Sequence, residues 1–413
     1  MHFWCRLVYS GTIFAGTVFL CKKTVKLCKG LLRVKTKRNV LVVLGWYDPR
    51  VIEGIGRFAR EAGWHLEMRS ILEASPPSGW RGDGLLVNDT AVPRLRGFLR
   101  KQVRLQPTVS LGVNHASSSL PSVHEDNSAM GGIAAEHFLR RGFRHFAWVS
   151  LPRGRVQRER REGFKQALAG AGYRCHLLEW NPPKGRGSQR WTDCRQWLER
   201  EVSGLPKPLA VFALDDLLAI DVVEACLNVG LGVPGDVSVL GVGNLQLACE
   251  CAQVPISSID EDAGGIAYAA AAMLERLMDG EKIAVRQKVL PVRGLVLRRS
   301  TEVFAARHPS VVRALEWMEM HAAKPLSIGQ VAEAAGTSVR ALHYAFQEDL
   351  RTTPARHLQR IRLERARALL AQGALKIGAV AEECGFGTLR NLHRAHLREY
   401  GFSALQGLTV GEG

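Results

Sequence analysis

The chain has 413 residues, of which 46% are hydrophobic and 23% are charged, so it is long enough for several globular domains and is not a disordered or collagen-like protein. Its formal net charge of +17 favours an acidic partner such as DNA or a membrane surface. About half of that charge lies in residues 1–38, which hold nine Lys/Arg and no acid, so net charge alone does not indicate DNA binding. The nine cysteines form no C-x-x-C pair and no zinc spacing, which predicts reduced thiols and no metal site.

Residues 1–38 form an N-terminal extension that raises the question of a membrane. The run from Phe3 to Cys21 is mostly apolar, but it contains Arg6 and two glycines, and lysines follow it instead of preceding it. Three interpretations stay open: an extension from a miscalled start, a weak membrane anchor and an export signal. The abrupt start of a globular pattern at RNVLVVLGW favours the first.

From Asn39 to about Ser300, short apolar runs alternate with amphipathic helical segments. The predicted strands are 39–44, 84–87, 107–111, 145–150, 209–214 and 237–243. The predicted helices lie near 50–62, 127–141, 158–171, 216–229 and 263–279. This alternation predicts an α/β domain over 39–300 with two lobes of doubly wound parallel sheet, and a ligand cleft at the carboxyl ends of the strands.

Beyond Ser310 no strand pattern appears, and an all-α domain is predicted over 305–408. Within it, SIGQVAEAAGTSVRALHYAF (327–346) resembles KIGAVAEECGFGTLRNLHRAH (376–396). Ile-Gly-x-Val-Ala-Glu recurs at an offset of 49 residues, and Arg-x-Leu-His recurs at an offset of 50. Each copy predicts a short helix, a turn with glycine and a second helix, which is a helix-turn-helix unit. An ordinary helical hairpin repeat is the alternative, although two copies are too few for a solenoid.

A helix is predicted between the two copies, because apolar residues from Leu358 to Leu370 follow steps of three and four, and Gly373 ends it. Two interpretations of its arginines stay open. They either form a solvated face paired with Glu364 or contact DNA phosphates. The arginines concerned are Arg360, Arg362, Arg365 and Arg367.

The segments RLERARALL, IGAVAEECGF and TTP (352–354) resemble the AraC-type double helix-turn-helix domain over about 305–408. The chain departs from that pattern at Arg351, where glycine is usual, at His396, where phenylalanine is usual, and at Ala404, where proline is usual. The resemblance implies that two recognition helices enter successive major grooves of double-stranded DNA. It places base-facing side chains at Arg340, His343, Tyr344, Leu389, Arg390, Asn391, His393 and Arg394.

The segments 124–150, 160–173, 211–226 and 237–244 are similar to the periplasmic-binding-protein-like effector domain of LacI-type regulators. This domain followed by an AraC-type unit resembles the xylose operon regulatory protein family. The resemblance implies a small polar effector, a sugar. The candidate effector-binding residues, each with a structural role as the open alternative, are Trp46, Tyr47, Asp48, Arg50, Asp126, Asn127, Arg160 and Asp216. Gly243 stands where relatives commonly have an aspartate, so the sugar itself is not carried over.

The predicted function is a cytoplasmic, sequence-specific transcriptional regulator controlled by a small-molecule effector. Its expected partners are DNA, the effector, a second copy of the chain in a homodimer, and RNA polymerase. No cofactor or metal is expected, and no catalysis, since no nucleophile-base arrangement or phosphate loop appears. The alternative is a membrane-associated or exported sugar-binding protein, which would have no use for the duplicated motif.

Overall fold

The computed structural model describes residues 37–400 except 74, 76, 78, 89–92, 113–119, 152–153, 182–189, 285 and 373–374. The expectations on residues 1–36, on Gly373 and on Ala404 fall outside this part of the chain. No helix within the described residues is long and apolar enough to cross a membrane.

The strands fall into two sheets. In chain order they are β1 (Asn39–Val43), β2 (His65–Glu67), β3 (Gly84–Val87), β4 (Thr108–Leu111), β5 (Ser122–Glu125), β6 (His145–Ser150), β7 (Cys175–Glu179), β8 (Leu209–Ala213), β9 (Val237–Val242), β10 (Ser257–Asp260), β11 (Gln287–Leu290) and β12 (Gly294–Val296). The first sheet has the order β11-β5-β4-β3-β1-β2 and the second has the order β12-β10-β9-β8-β6-β7. We call the domains around them the first lobe and the second lobe.

Helices cover the sheets and then form the C-terminal part of the described chain. The helices of the α/β region are α1 (Pro49–Ala62), α2 (Arg69–Glu73), α3 (Pro93–Gln102), α4 (Asn127–Arg140), α5 (Arg155–Gly170), α6 (Arg190–Gly204), α7 (Asp216–Asn228), α8 (Gln246–Cys251) and α9 (Ala263–Met278). The later helices are α10 (Pro309–His321), α11 (Ile328–Ala334), α12 (Val339–Leu350), α13 (Pro354–Gln372), α14 (Ile377–Glu383) and α15 (Leu389–Tyr400). We call this second group the helical domain.

The two parallel sheets confirm the predicted fold class. Every strand pair is parallel except β10 with β12. The predicted strands form β1, β3, β4, β6, β8 and β9, whose Val- and Leu-rich runs are buried on both faces, as expected for parallel strands. The pattern missed the edge strands β7 and β11, most of whose side chains face solvent, and also the buried strands β5 and β10, whose sequences SVHE and SSID are not apolar runs.

Helix α9 returns the chain to the first lobe and packs against α1 at Gly54. A Cβ atom at Gly54 would lie 2.2 Å from the carbonyl oxygen of Gly264, so only glycine permits this approach.

The helical domain contains both predicted helix-turn-helix units. Ser327 and Gln330 form a capping box at the start of α11. The core side chains Leu342, Phe346 and Leu392 have no exposed area. Each unit thus has a core of its own, and α13 contributes its apolar side to both.

The helical domain contacts the end of the second lobe that is opposite the carboxyl ends of its strands. Ala305 donates its backbone N–H to the carbonyl of Arg141, and Arg144 donates to the carbonyl of Glu348. Arg351, the residue at a usual glycine position, has φ +52, donates to the carbonyl of Ala171 and lies 5.7 Å from the ring centroid of Tyr173. This chain therefore uses that position to attach the helical domain to the lobe.

Candidate DNA-binding surface and effector cleft

The second helix of each unit, α12 or α15, presents an exposed polar face. On α12, Arg340, His343 and Tyr344 are all exposed, and their spacing of three and four residues puts them on one side. The guanidinium of Arg340 lies 5.9 Å from the centroid of the Tyr344 ring. Arginine can bind the O6 and N7 atoms of guanine, and tyrosine can donate to a base or phosphate, so this face has the chemistry needed to read a major groove.

The equivalent face of α15 is richer in arginine. Arg390 and Arg394 are exposed and His393 is half-buried beside them. Arg398 is also exposed and extends the face by one more turn. We did not single out Arg398 from the sequence, although its four-residue step from Arg394 is a sufficient signal.

Leu389 and Asn391 are placed differently from the other candidates. Leu389 packs against the core of the second unit. The Asn391 amide donates to the carbonyl of Phe386 at 3.0 Å and accepts a hydrogen bond from Arg394 at 2.9 Å. In this arrangement Asn391 orients Arg394, and it would have to exchange these partners to read an adenine directly.

The distance between the two units is fixed by more than the linker helix. Helix α13 has 19 residues, so it is roughly 28 Å long at 1.5 Å per residue. Arg362, on this helix, donates from Nε to the carbonyl of Ala322 and from Nη2 to that of Lys324, both at 2.8 Å. Gly385, in the turn of the second unit, lies against the same segment, since an added Cβ would be 2.4 Å from the Ala322 oxygen. The two units therefore touch each other directly.

These contacts bear on the two interpretations of the linker arginines. Arg360 pairs with Glu399 of α15, and Arg362 holds backbone carbonyls, so both have intramolecular partners. Glu364 pairs with Arg140 of the second lobe instead of a linker arginine. Arg365 and Arg367 are exposed on the same helix.

In the cleft, the β1–α1 loop reaches from the first lobe to the second. Asp48 caps α1, is almost fully buried, and pairs with Arg50 at 2.7 Å. Arg50 then donates to the carbonyls of Gly243 at 2.5 Å and Asn244 at 3.1 Å, both in the second lobe. Asp48 and Arg50 thus form a bridge between the lobes. Trp46 and Tyr47, on the same loop, are 46% and 61% exposed.

Arg160 is the centre of a buried polar cluster between the lobes. Its guanidinium donates to Asn127 at 2.7 Å and to the carbonyl of Leu214 at 2.6 Å, and it lies 3.4 Å from both Glu125 and Glu261. Asn127 keeps an amide nitrogen that is buried without a partner in the described structure. Asp126, next to it, accepts from the backbone of Ala129 as the cap of α4.

The cluster contains two carboxylates, Glu125 and Glu261, that sequence reasoning missed. Glu125 is the last residue of β5 and Glu261 directly follows β10. Burial and the neighbouring Glu125 raise the pKa of Glu261 to about 7, although Arg160 and Arg50 oppose the shift. A pair of carboxylates beside one arginine leaves acceptors for hydroxyl groups of a ligand.

The Asp216 side chain is buried and makes structural contacts within the second lobe. Its carboxylate accepts from the Ser258 hydroxyl at 2.5 Å and from the Leu245 backbone at 2.7 Å, and it has no exposed area. Burial raises the pKa of this carboxyl. A Cβ atom added at Gly243 would lie 3.4 Å from an oxygen of the Asp216 carboxylate. Gly243 has φ +118, a conformation that L-residues rarely adopt. With this backbone conformation, an aspartate at Gly243 would be strained and placed next to a second carboxylate.

No group of His, Cys, Asp or Glu suited to a metal ion occurs in the described part of the chain. The two candidate functional surfaces are the exposed faces of α12 and α15 and the polar cleft between the two lobes.

Two family models match the chain: a periplasmic binding protein-like domain over residues 135–301 and a helix-turn-helix domain over residues 331–406. The chain is also 28% identical over 389 residues to the xylose operon regulatory protein of Escherichia coli (strain K12), covering 88% of this chain and 95% of that protein. The chain is an AraC-type helix-turn-helix transcriptional regulator with a periplasmic-binding-protein-like domain.

Other relatives of this regulator agree with that assignment. The xylose operon regulatory protein of Haemophilus influenzae is 25% identical, covering 86% of this chain and 93% of that protein. The HTH-type transcriptional activator RhaS of Salmonella schwarzengrund is 30% identical over 128 residues, covering 30% of this chain and 46% of that protein. These relatives are named as regulators, so they give no support to the alternative of an exported sugar-binding protein.

Solved structures show the same fold. The structure of the xylose-binding transcription activator xylR has a TM-score of 0.56 and 23% identity, and the match covers 91% of this chain and 98% of that one. The transcriptional regulator CelR in complex with cellobiose has a TM-score of 0.51 and 21% identity, and covers 68% of this chain and 91% of that one.

Proposed function

We propose that the regulator binds a sugar in the cleft between its two lobes and that the bound sugar changes its affinity for DNA. The observation that carries this proposal is the Arg160 cluster, in which Asn127, Glu125 and Glu261 meet one buried guanidinium. Such a cluster supplies donors and acceptors for hydroxyl groups, and the exposed rings of Trp46 and Tyr47 supply faces on which a sugar ring can stack. The names of the xylose regulators and of the cellobiose complex point to the same class of ligand.

In this proposal residues 39–300 bind the effector and residues 305–408 bind DNA. The faces of α12 and α15 enter two successive major grooves, with Arg340, Arg390 and Arg394 as the readers of guanine. A sugar can alter this binding only if it binds one arrangement of the lobes and helical domain more tightly than the other. The bridge from Arg50 to Gly243 and Asn244 is the contact between lobes that such a change would make or break.

We further propose that the regulator works as a homodimer in the cytoplasm, where its DNA is, and contacts RNA polymerase when bound at a promoter. Homodimers with twofold symmetry are the commonest oligomers of soluble proteins, and a dimer would place two pairs of recognition helices on a repeated operator. We expect the regulator itself to catalyse no reaction. Sedimentation of the purified protein with and without operator DNA tests the dimer.

The sugar is identified with a thermal-shift screen of pentoses, hexoses and sugar acids on the full-length protein. A ligand that binds only the folded state raises the melting temperature in a concentration-dependent way. Each sugar that does so is then added to a footprinting reaction on promoter DNA. Binding with steep salt dependence but without a preferred sequence would refute a specific regulator.

Two exposed tyrosines give matched variants that separate the two sites. Tyr47 is 61% exposed in the cleft loop and Tyr344 is 66% exposed on α12, so neither substitution removes core packing. We expect Tyr47→Ala to weaken the sugar-induced thermal shift and to leave DNA affinity unchanged. Tyr344→Ala should weaken DNA binding and leave the thermal shift unchanged. If both variants affect both measurements equally, the assignment of the two sites is wrong.

A further inference from the structure

A cavity lies between the second lobe and the helical domain, outside both surfaces described above. Its volume is ≈ 840 Å³, which is within the range of sites that hold small molecules, about 300–1,000 Å³. The C-terminal half of α4, strand β12 and Phe304 form one wall, and α10 and α13 of the helical domain form the other. A ligand here would touch both domains at once.

The cavity wall carries more positive than negative side chains. Its cationic and imidazole residues are His137, Arg140, Arg141, Arg293, His357, Arg360, Arg365 and Arg367. Its acids are Glu136, Asp260, Glu319 and Glu364. Several of the cations are already paired, since Arg140 contacts Glu136 and Glu364, and Arg360 contacts Glu399.

Arg141 is a buried cation of this wall without such a partner in the described residues. It is only 7% exposed, and its guanidinium stacks 4.8 Å from the ring centroid of Phe304. Within the described structure it makes no side-chain hydrogen bond and no ion pair, and burial lowers its pKa although Glu319 and Glu302 oppose the shift. The nearby Nε2 of His137 is also buried without a partner in the described residues. A buried charge without a hydrogen-bonded partner is costly, so a ligand that satisfies it gains the missing interaction.

We propose that this cavity is a second ligand site, which takes a small organic anion bearing a phosphate or carboxylate group on Arg141 and His137. The planar guanidinium offers two parallel N–H groups that match a carboxylate or phosphate, and Phe304 holds its plane in place. Apolar wall residues such as Ile133 and Leu295 accommodate the uncharged part of the molecule.

The site would act on DNA binding through its position. Arg141 belongs to the second lobe, whereas Glu319 and His357 belong to the helical domain. An anion bound between them stabilises the arrangement in which the two domains are docked, and it disfavours any arrangement in which the helical domain moves away. The anion therefore changes DNA affinity without occupying the sugar cleft.

Substitutions of Glu319 and Arg141 should change the affinity for an anion in opposite directions. The Glu319 carboxylate faces the cavity and repels an anion, so Glu319→Gln should tighten anion binding, whereas Arg141→Gln should weaken it about tenfold through loss of a charge-assisted hydrogen bond. A destabilised fold cannot produce opposite changes in the two variants. Arg100→Gln, at an exposed arginine on α3 of the first lobe, is the matched control and should leave binding unchanged.

The probes are glucose 6-phosphate, citrate and inorganic phosphate, with glucose as the neutral control, titrated calorimetrically into the full-length protein without DNA. Binding of at least one anion, with the opposite changes above, supports the proposal and distinguishes a phosphate from a carboxylate ligand. The proposal is overturned if no anion binds, or if Arg141→Gln and Arg100→Gln bind as the unmodified protein does. If Arg141→Gln does not fold, His137→Gln replaces it, with the same expected weakening.

Two further measurements separate this site from the other two. Tyr47→Ala should keep its anion affinity, so a failed sugar proposal does not decide this one. The anion should change the affinity of the unmodified protein for promoter DNA more than that of Arg141→Gln at equal ionic strength. Equal changes in both proteins would mean that the anion acts only as salt, which would refute the regulatory role.

Discussion

Replacing Gly385 by alanine should damage DNA binding far more than the same change at Gly336. The two glycines occupy the turns of the two helix-turn-helix units and both have positive φ, +76 and +67. Alanine in this left-handed conformation costs roughly 1–2 kcal/mol at either position. The difference lies in the surroundings, because a Cβ at Gly336 would meet only the end of the Arg313 side chain at 3.6 Å.

At Gly385 an added Cβ would lie 2.4 Å from the carbonyl oxygen of Ala322 and 2.9 Å from Nε of Arg362. A backbone oxygen cannot turn aside, so the second unit has to move away from the first and the hydrogen bond from Arg362 to Ala322 is lost. A hydrogen bond from a charged donor contributes about 1.5–3 kcal/mol, so the total cost at Gly385 is about 2.5–5 kcal/mol. The cost at Gly336 stays at about 1–2 kcal/mol.

The assay compares urea unfolding of the full-length variants with their affinity for two duplexes, one with the complete operator and one with only the half bound by the first unit. We expect Gly385→Ala to lose most of its preference for the complete operator, because its recognition helices no longer have the right spacing. Gly336→Ala should lose some stability and keep that preference. Equal losses in the two variants would refute the idea that contact between the units sets their spacing.

Three other changes test other parts of the molecule. Arg390→Ala should cost about 1–3 kcal/mol and relax the preference at one base pair; an equal loss on every sequence would reassign Arg390 to a phosphate. Arg351→Gly should replace a left-handed arginine by a residue that tolerates this conformation, and it should remove the hydrogen bond to the carbonyl of Ala171. We therefore expect the helical domain to unfold at the same or a higher urea concentration, and the sugar-induced change in DNA affinity to become smaller. An undiminished change in DNA affinity would contradict this coupling. Burial and Glu125 raise the pKa of Glu261 from an ordinary 4.5 to about 7, so its contribution to stability is present below pH 4.5 and is lost as the pH rises through 7. The melting temperature of the unmodified protein should therefore fall more between about pH 5 and about pH 8 than that of Glu261→Gln, and parallel curves would exclude this titration.

Several sequence predictions failed or succeeded for identifiable reasons. The strands that were predicted are mainly apolar runs, whereas the buried strands β5 and β10 have the sequences SVHE and SSID, and β7 and β11 lie at sheet edges. Arg160 was a candidate on the basis of its resemblance, and it does stand at the centre of a polar cluster. Glu125 and Glu261 were missed because Arg160, the residue that brings them together, is distant from both in sequence.

The sequence by itself determined the two-lobed α/β plan and the duplicated helix-turn-helix. Both depend on local periodicity, since three- and four-residue steps make a helix face and a repeat at 49 and 50 residues shows two copies of one unit. Only the tertiary structure decided that Asp216 holds a loop, that Arg362 and Gly385 join the two units, and that Arg141 lies against Phe304 in a cavity. Each of these depends on the approach of segments far apart in the chain, and such an approach leaves no periodic trace in the sequence.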